Sequence, residues 1–68
     1  MGQLKQLRYE VNATALAAHI FDMEDKVMKN SLQSFFVAHV GFNKYPIIHF
    51  YDSTVAYLLE HGLAVELR

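Results

Sequence analysis

A mixed α+β fold is predicted by three features of this 68-residue chain. Residues 31–51 carry one formal charge, Lys44, and hold two runs rich in aromatic and β-branched side chains around Gly41-Phe42-Asn43-Lys44-Tyr45-Pro46, the composition of a β-hairpin. Leu16, Ile20, Met23 and Val27 recur at steps of four, three and four, which builds one apolar helix face. Short segments that alternate apolar and polar residues stand near both ends.

Taken in order, residues 6–11 set Leu7, Tyr9 and Val11 against Arg8 and Glu10, the period of a half-buried strand. Leu4, Leu7 and Val11 also fit a helical stripe. Asn12 and Thr14 supply N-cap chemistry. A helix is expected over 15–29, with Asp22, Glu24, Asp25, Lys26 and Lys29 on its solvated side and both lysines towards its C-terminus, as the dipole prefers. Continuing its stripe would require apolar residues near Ser31 and Ser34, yet they arrive at Leu32, Phe35 and Phe36. The helix is therefore expected to end at Asn30-Ser31, with a strand over 35–40.

A two-residue turn at Asn43-Lys44 would pair Phe42 with Tyr45 and Val40 with Ile47. Asn suits the positive φ such a turn demands and Lys suits it poorly, so a longer loop is the alternative. Pro46 donates no backbone hydrogen bond and belongs at a strand start or facing away from the ladder. Asp52-Ser53-Thr54 is another N-cap cluster. Val55, Leu58 and Leu59 are spaced for a short helix that stops at Gly62, a C′ glycine. Residues 63–68 alternate again as a closing strand. The resulting β-α-β-β-α-β order is that of a ferredoxin-like sandwich, with helices on one face of an antiparallel sheet. The rival is a small all-α domain, with Pro46 in the first turn of a helix running to His61.

Length makes residues 1–68 one domain. A chain this size buries only about 60% of the surface its unfolded form exposes. The apolar fraction of 53% exceeds the usual ~45–50%, and the charged fraction of 19% falls below the usual ~25%. That surplus points to an interface. Six basic and seven acidic residues give a net charge of −1, which lacks the basic excess of proteins that bind phosphate backbones. No apolar core of signal-peptide length follows Met1. Gln33, Asn43, Lys44, Pro46 and two histidines oppose a membrane-spanning reading of the weakly charged stretch. A cytoplasmic protein with no membrane association is expected.

In the two-residue-turn register, Phe36, Ala38, Val40, Ile47, His49 and Tyr51 share one hairpin face, and Phe35, Val37, His39, Ile48 and Phe50 the other. One set should pack under the helices with Leu7, Tyr9, Val11, Leu63, Val65 and Leu67. The other should face outward beside Arg8, Glu10, Glu66 and Arg68, and a register slip would exchange them. Phe36, Val40, Ile47, His49, Tyr51, Arg8 and Arg68 are accordingly the expected interface, an apolar patch with a charged margin. His49 is expected to be buried there as a neutral ring.

These features describe a non-enzymatic protein-binding module that forms a homodimer and docks another protein. Inhibitors, adaptors and accessory proteins of phages and mobile elements are often this small. The alternative is single-stranded nucleic-acid binding, with Phe36, His49 and Tyr51 stacking bases beside Arg8 and Arg68. No Gly-Phe-aromatic run of RNA-recognition modules accompanies them. His19 and Asp22 at i, i+3, and His39 near His49, are the nearest approach to metal-ligand spacing. Without a single Cys to complete a set, no metal and no cofactor is assigned. Ser31, Ser34 and Ser53 lack a nucleophile elbow, Ser53 being better placed as a cap, and Asp22, Glu24 and Asp25 diverge around a helix. The glycines at 2, 41 and 62 stand alone, so no phosphate-cradling loop exists and no catalytic residue is assigned.

Overall fold

The computed structural model describes residues 7–67. Strand β1 (Arg8–Val11) leads through one residue, Asn12, into helix α1 (Ala13–Phe21). The Asn12 side chain accepts from the Ala15 N–H at 3.1 Å, satisfying one of the donors a helix start leaves unpaired. A second helix, α2 (Lys26–Phe35), begins after Asp25 and widens at its end into a π-helical turn (Phe36–Val40). Strand β2 (Ile47–Ile48), helix α3 (Ser53–Glu60) and strand β3 (Ala64–Leu67) complete the described chain.

The strands form one antiparallel sheet in the order β2-β1-β3. Both outer strands run against β1, so they are parallel to each other with β1 inserted between them. That makes β2-α3-β3 a split β-α-β unit. Tyr9, Val11, Ile48 and Ala64 are buried on the inner face, in one cluster with Leu16 and Ile20 of α1, Leu32, Phe35 and Val40 of the α2 segment, and Val55 and Leu58 of α3. Among the described residues the core contains no buried polar or charged residue.

The α+β class is the one the sequence predicts, but the four-stranded ferredoxin-like order is not reproduced among the described residues. Residues expected as a hairpin strand are helical, so the element order is β-α-α-β-α-β. The cause lies at Asp25, whose carboxylate accepts from the Met28 N–H at 3.1 Å and starts a new helix. The expected single helix over 15–29 is broken over residues 22–25, where Asp22 ends α1. Counted from the new start, Met28, Leu32, Phe35, Phe36 and Val40 fall at helical spacing (i, i+4, i+7, i+8, i+12) and supply a second apolar stripe. Val27, expected on the first stripe, is 78% exposed.

Two glycines end helices for different reasons. Gly62 takes φ +70° at C′ of α3. The Leu63 N–H reaches the Leu58 carbonyl at 2.8 Å and the Gly62 N–H the Leu59 carbonyl at 3.2 Å, a Schellman pair closed by burial of Leu58 and Leu63. Gly41 closes the π turn, donating to the Phe36 carbonyl at 2.9 Å. It then occupies φ 58°, ψ −127°, the first central position of a type II′ turn whose Asn43 N–H bonds the Val40 carbonyl at 3.1 Å. Beyond that turn the chain runs back along β1: the Val11 N–H bonds the Pro46 carbonyl at 3.0 Å and the Ala13 N–H the Lys44 carbonyl at 2.9 Å. Pro46 thus serves an edge strand as an acceptor only.

A Cβ at Gly41 would meet no atom within 4 Å, so Gly41→Ala probes the backbone alone. It should destabilise the fold by about 1–3 kcal/mol in urea unfolding, whereas D-alanine at the same position should not. Asp25→Ala removes the cap that separates the two helices and should cost about 1 kcal/mol in the same assay.

Candidate functional site

The expected interface is divided by the fold. Phe36 and Val40 lie on the helical turn, Val40 fully within the core and Phe36 half-buried against it. Ile47 is on the outer face of the sheet, paired with Glu10. His49 is exposed, and Tyr51 packs on the inner-face Tyr9 with ring centroids 5.8 Å apart. Arg8 is exposed and paired with Leu67, and Arg68 lies outside the described residues. The six described residues therefore do not share one face, because a helix takes the place of the hairpin strand that would have aligned them.

Register identifies the surface that remains open. Arg8, Glu10, Ile47, Val65 and Leu67 point away from the helices, since their ladder neighbours Tyr9, Val11, Ile48 and Ala64 are buried beneath them. Val65 is 53% exposed and Ile47 39%. The sequence reading places Val65 and Leu67 under the helices. The pairing of Val11 with Ala64 turns them outward, because the Schellman closure sends Leu63 into the core and restarts the alternation one residue later. Leu7, also expected inside, is exposed.

Three side-chain clusters border the core. His39 sits between Phe35 and Phe50, with centroids at 5.1 and 4.9 Å, and so ties the end of α2 to the segment after β2. His19 Nε2 and the Tyr57 hydroxyl share a hydrogen bond of 2.6 Å. His61 stacks on Tyr57 at 4.0 Å and donates from Nδ1 to the Tyr57 carbonyl at 2.9 Å, so its ring helps to close the C-terminus of α3. Asp52 caps α3, accepting from the Val55 N–H at 2.9 Å, and Ser53 is the first helical residue instead of the cap. Among the described residues no group of three or more His, Cys, Asp or Glu could hold a metal ion. His19 thus joins Tyr57 and His61, while Asp22 ends the helix.

The third cluster joins Tyr9, Tyr51 and Glu66. Burial, with the Glu66 carboxylate across the ladder and the Tyr51 ring adding to it, raises the Tyr9 phenol above its ordinary 10.0. No buried side-chain polar atom lacks a partner among the described residues. None of the described helices is long and apolar enough to cross a membrane. No family model matches this chain, and no curated protein or solved structure matches it.

Because its folded pKa is raised, the neutral Tyr9 phenol contributes stability that is intact below the unfolded value near ~10. That contribution is lost as pH rises through the raised folded value. Tyr9→Phe should make stability fall less steeply above that pH in alkaline denaturation. Glu66→Gln should bring the highest of the tyrosine titrations down in an ultraviolet pH titration.

Proposed function

We propose that this chain is a small, non-enzymatic protein-binding module that engages its partner through the open face of the sheet. The observation that carries the reading is the composition of that face: Ile47, Val65 and Leu67 are apolar, and Arg8 and Glu10 supply its charge. An antiparallel sheet with water on one side ordinarily alternates apolar-in and polar-out, which β1 does and β3 does not. Arg8 and Glu10 stand on the central strand, and the apolar side chains flank them on both outer strands. Exposed apolar side chains gathered on one face among charges mark a protein interaction surface. Among the described residues no further strand pairs with the outer edges of β2 and β3, and such edges carry backbone donors and acceptors suited to strand addition. An inhibitor, adaptor or accessory role in the cytoplasm suits such a module.

Nucleic-acid binding receives less support. Base stacking on a sheet needs several aromatics on its exposed face. The described strand positions there hold none, and Tyr45, exposed beside Glu10 and Val65, stands at its margin just before β2. Phe36 is on a helix and Tyr51 leans on Tyr9.

The test is affinity capture from the native cell with the tagged wild type and a Val65→Asp variant matched by circular dichroism. The expected result is a discrete protein partner retained by the wild type in high salt and lost by the variant. Capture of nucleic acid that fades steeply with salt would overturn the reading, since phosphate contacts release counterions and an apolar face does not.

A further inference from the structure

At the end of the open sheet face where β1 passes into Asn12, a half-enclosed hollow of about 150 Å³ stands among Glu10, Tyr45 and Val65. Gly62 and Leu63, at the exit from α3, complete its wall. One water needs only ~10–15 Å³, so the hollow admits the head of a single side chain. Among the described residues that line it, Glu10 alone is charged. The Glu10 side chain is half-buried and faces outward between Ile47 and Val65, its partners on the two neighbouring strands. Its carboxylate has neither a hydrogen bond nor an ion pair with the described residues. Arg8, two positions along β1 on the same face, lines no part of the hollow.

We propose that this hollow is the specificity pocket of the open face and takes the guanidinium of an arginine side chain presented by the protein partner. The proposal rests on the reading of that face as a protein-binding surface. Three features select a cation, and a planar one. A carboxylate held between two apolar residues loses part of its water shell without gaining a counter-charge, and an incoming cation supplies it. Apolar neighbours also lower the local dielectric, which strengthens the attraction. The C-terminal end of α3, beside Gly62, adds the partial negative charge of a helix end. Tyr45, 61% exposed, supplies an aromatic ring. A guanidinium forks onto a carboxylate through two parallel N–H···O bonds and stacks flat on such a ring, whereas an ammonium is a point charge without that fork.

The aliphatic stem of the arginine would lie along Val65 and continue the apolar contact of the face. Apolar surface and carboxylate thus act on one side chain. Arginine is among the residues that anchor protein interfaces, where a few buried side chains carry most of the binding energy.

Amide-resolved NMR titration of the full chain with capped arginine (Nα-acetyl-arginine methylamide) tests the site, with capped citrulline as the neutral isostere. Arginine should give saturable shifts at Glu10, Gly62 and Val65, with binding in the millimolar range that one side chain provides. Glu10→Gln should weaken it at least about tenfold and Tyr45→Ala about threefold, and citrulline should shift none of these amides. Circular dichroism checks that each variant folds. Citrulline that binds as well as arginine, a Glu10→Gln that titrates like wild type, or no saturable shift at these amides overturns the proposal. Affinity capture with Glu10→Gln beside Val65→Asp separates the pocket from the face as a whole. Loss of the protein partner by both variants supports the pocket. Retention by Glu10→Gln with loss by Val65→Asp overturns the pocket and leaves the open face standing as the binding surface. Retention by both overturns the two together.

Discussion

Everything in this fold hangs on the passage from β1 to α1 through Asn12. That single residue donates its N–H to the Leu63 carbonyl at 2.9 Å and caps α1 with its side chain. The neighbouring N–H groups of Val11 and Ala13 are taken by Pro46 and Lys44. Four parts of the chain are thereby held to one short stretch: the sheet centre, the first helix, the return strand and the end of α3. The burial of Val11 and Leu16 on either side of the junction, both with no exposed surface, keeps these backbone bonds out of water.

Closing the core in this way uses one face of the sheet and one stripe of each helix, and leaves two apolar surfaces uncovered. They lie on opposite layers, one on the sheet and one on the helix pair. A 68-residue chain with 53% apolar residues has more apolar side chains than its core accommodates; part of the excess lies on these two surfaces, and Val27 and Phe42 are exposed outside them. Grouping is what separates a recognition surface from the incidental exposed apolar residue found on any small domain.

Much of the local structure was legible from residue types. Strand β1, the Asn12 and Asp52 cap positions, the Gly62 stop and the edge role of Pro46 all rest on chemistry confined to a few neighbouring residues. The segment from Met28 to Val40 misled, although its signal was present. Its apolar residues have helical spacing, but the phase must be counted from Asp25 and not carried over from Leu16. Asp22, Glu24 and Asp25 read as a solvated helix face, whereas two of the three form the end of one helix and the start of another. The high β-propensity of Phe35, Phe36, Val37 and Val40 was overridden because a stripe of them can be buried on a helix as well as on a strand.

The candidate surfaces were legible in composition and not in membership. That apolar residues exceed the needs of one small core follows from counting, and so does the absence of charge between Ser31 and Asn43. Which of them remain outside depends on parity and packing. The alternation of β3 is set by the pairing of Val11 with Ala64, a contact across 53 positions that no local pattern encodes. Phe21 and Val37 stand on neighbouring helices and meet around one hollow only because α1 and α2 pack side by side. Residue chemistry by itself determined the α+β class, the caps and the surplus of apolar surface, since each arises from interactions within a few residues or from a sum over the chain. Tertiary structure decided the helix at 36–40, the outward turn of Val65 and the gathering of Phe21 and Val37 around one hollow. Those outcomes rest on long-range pairing, where a shift of one residue exchanges inside for outside.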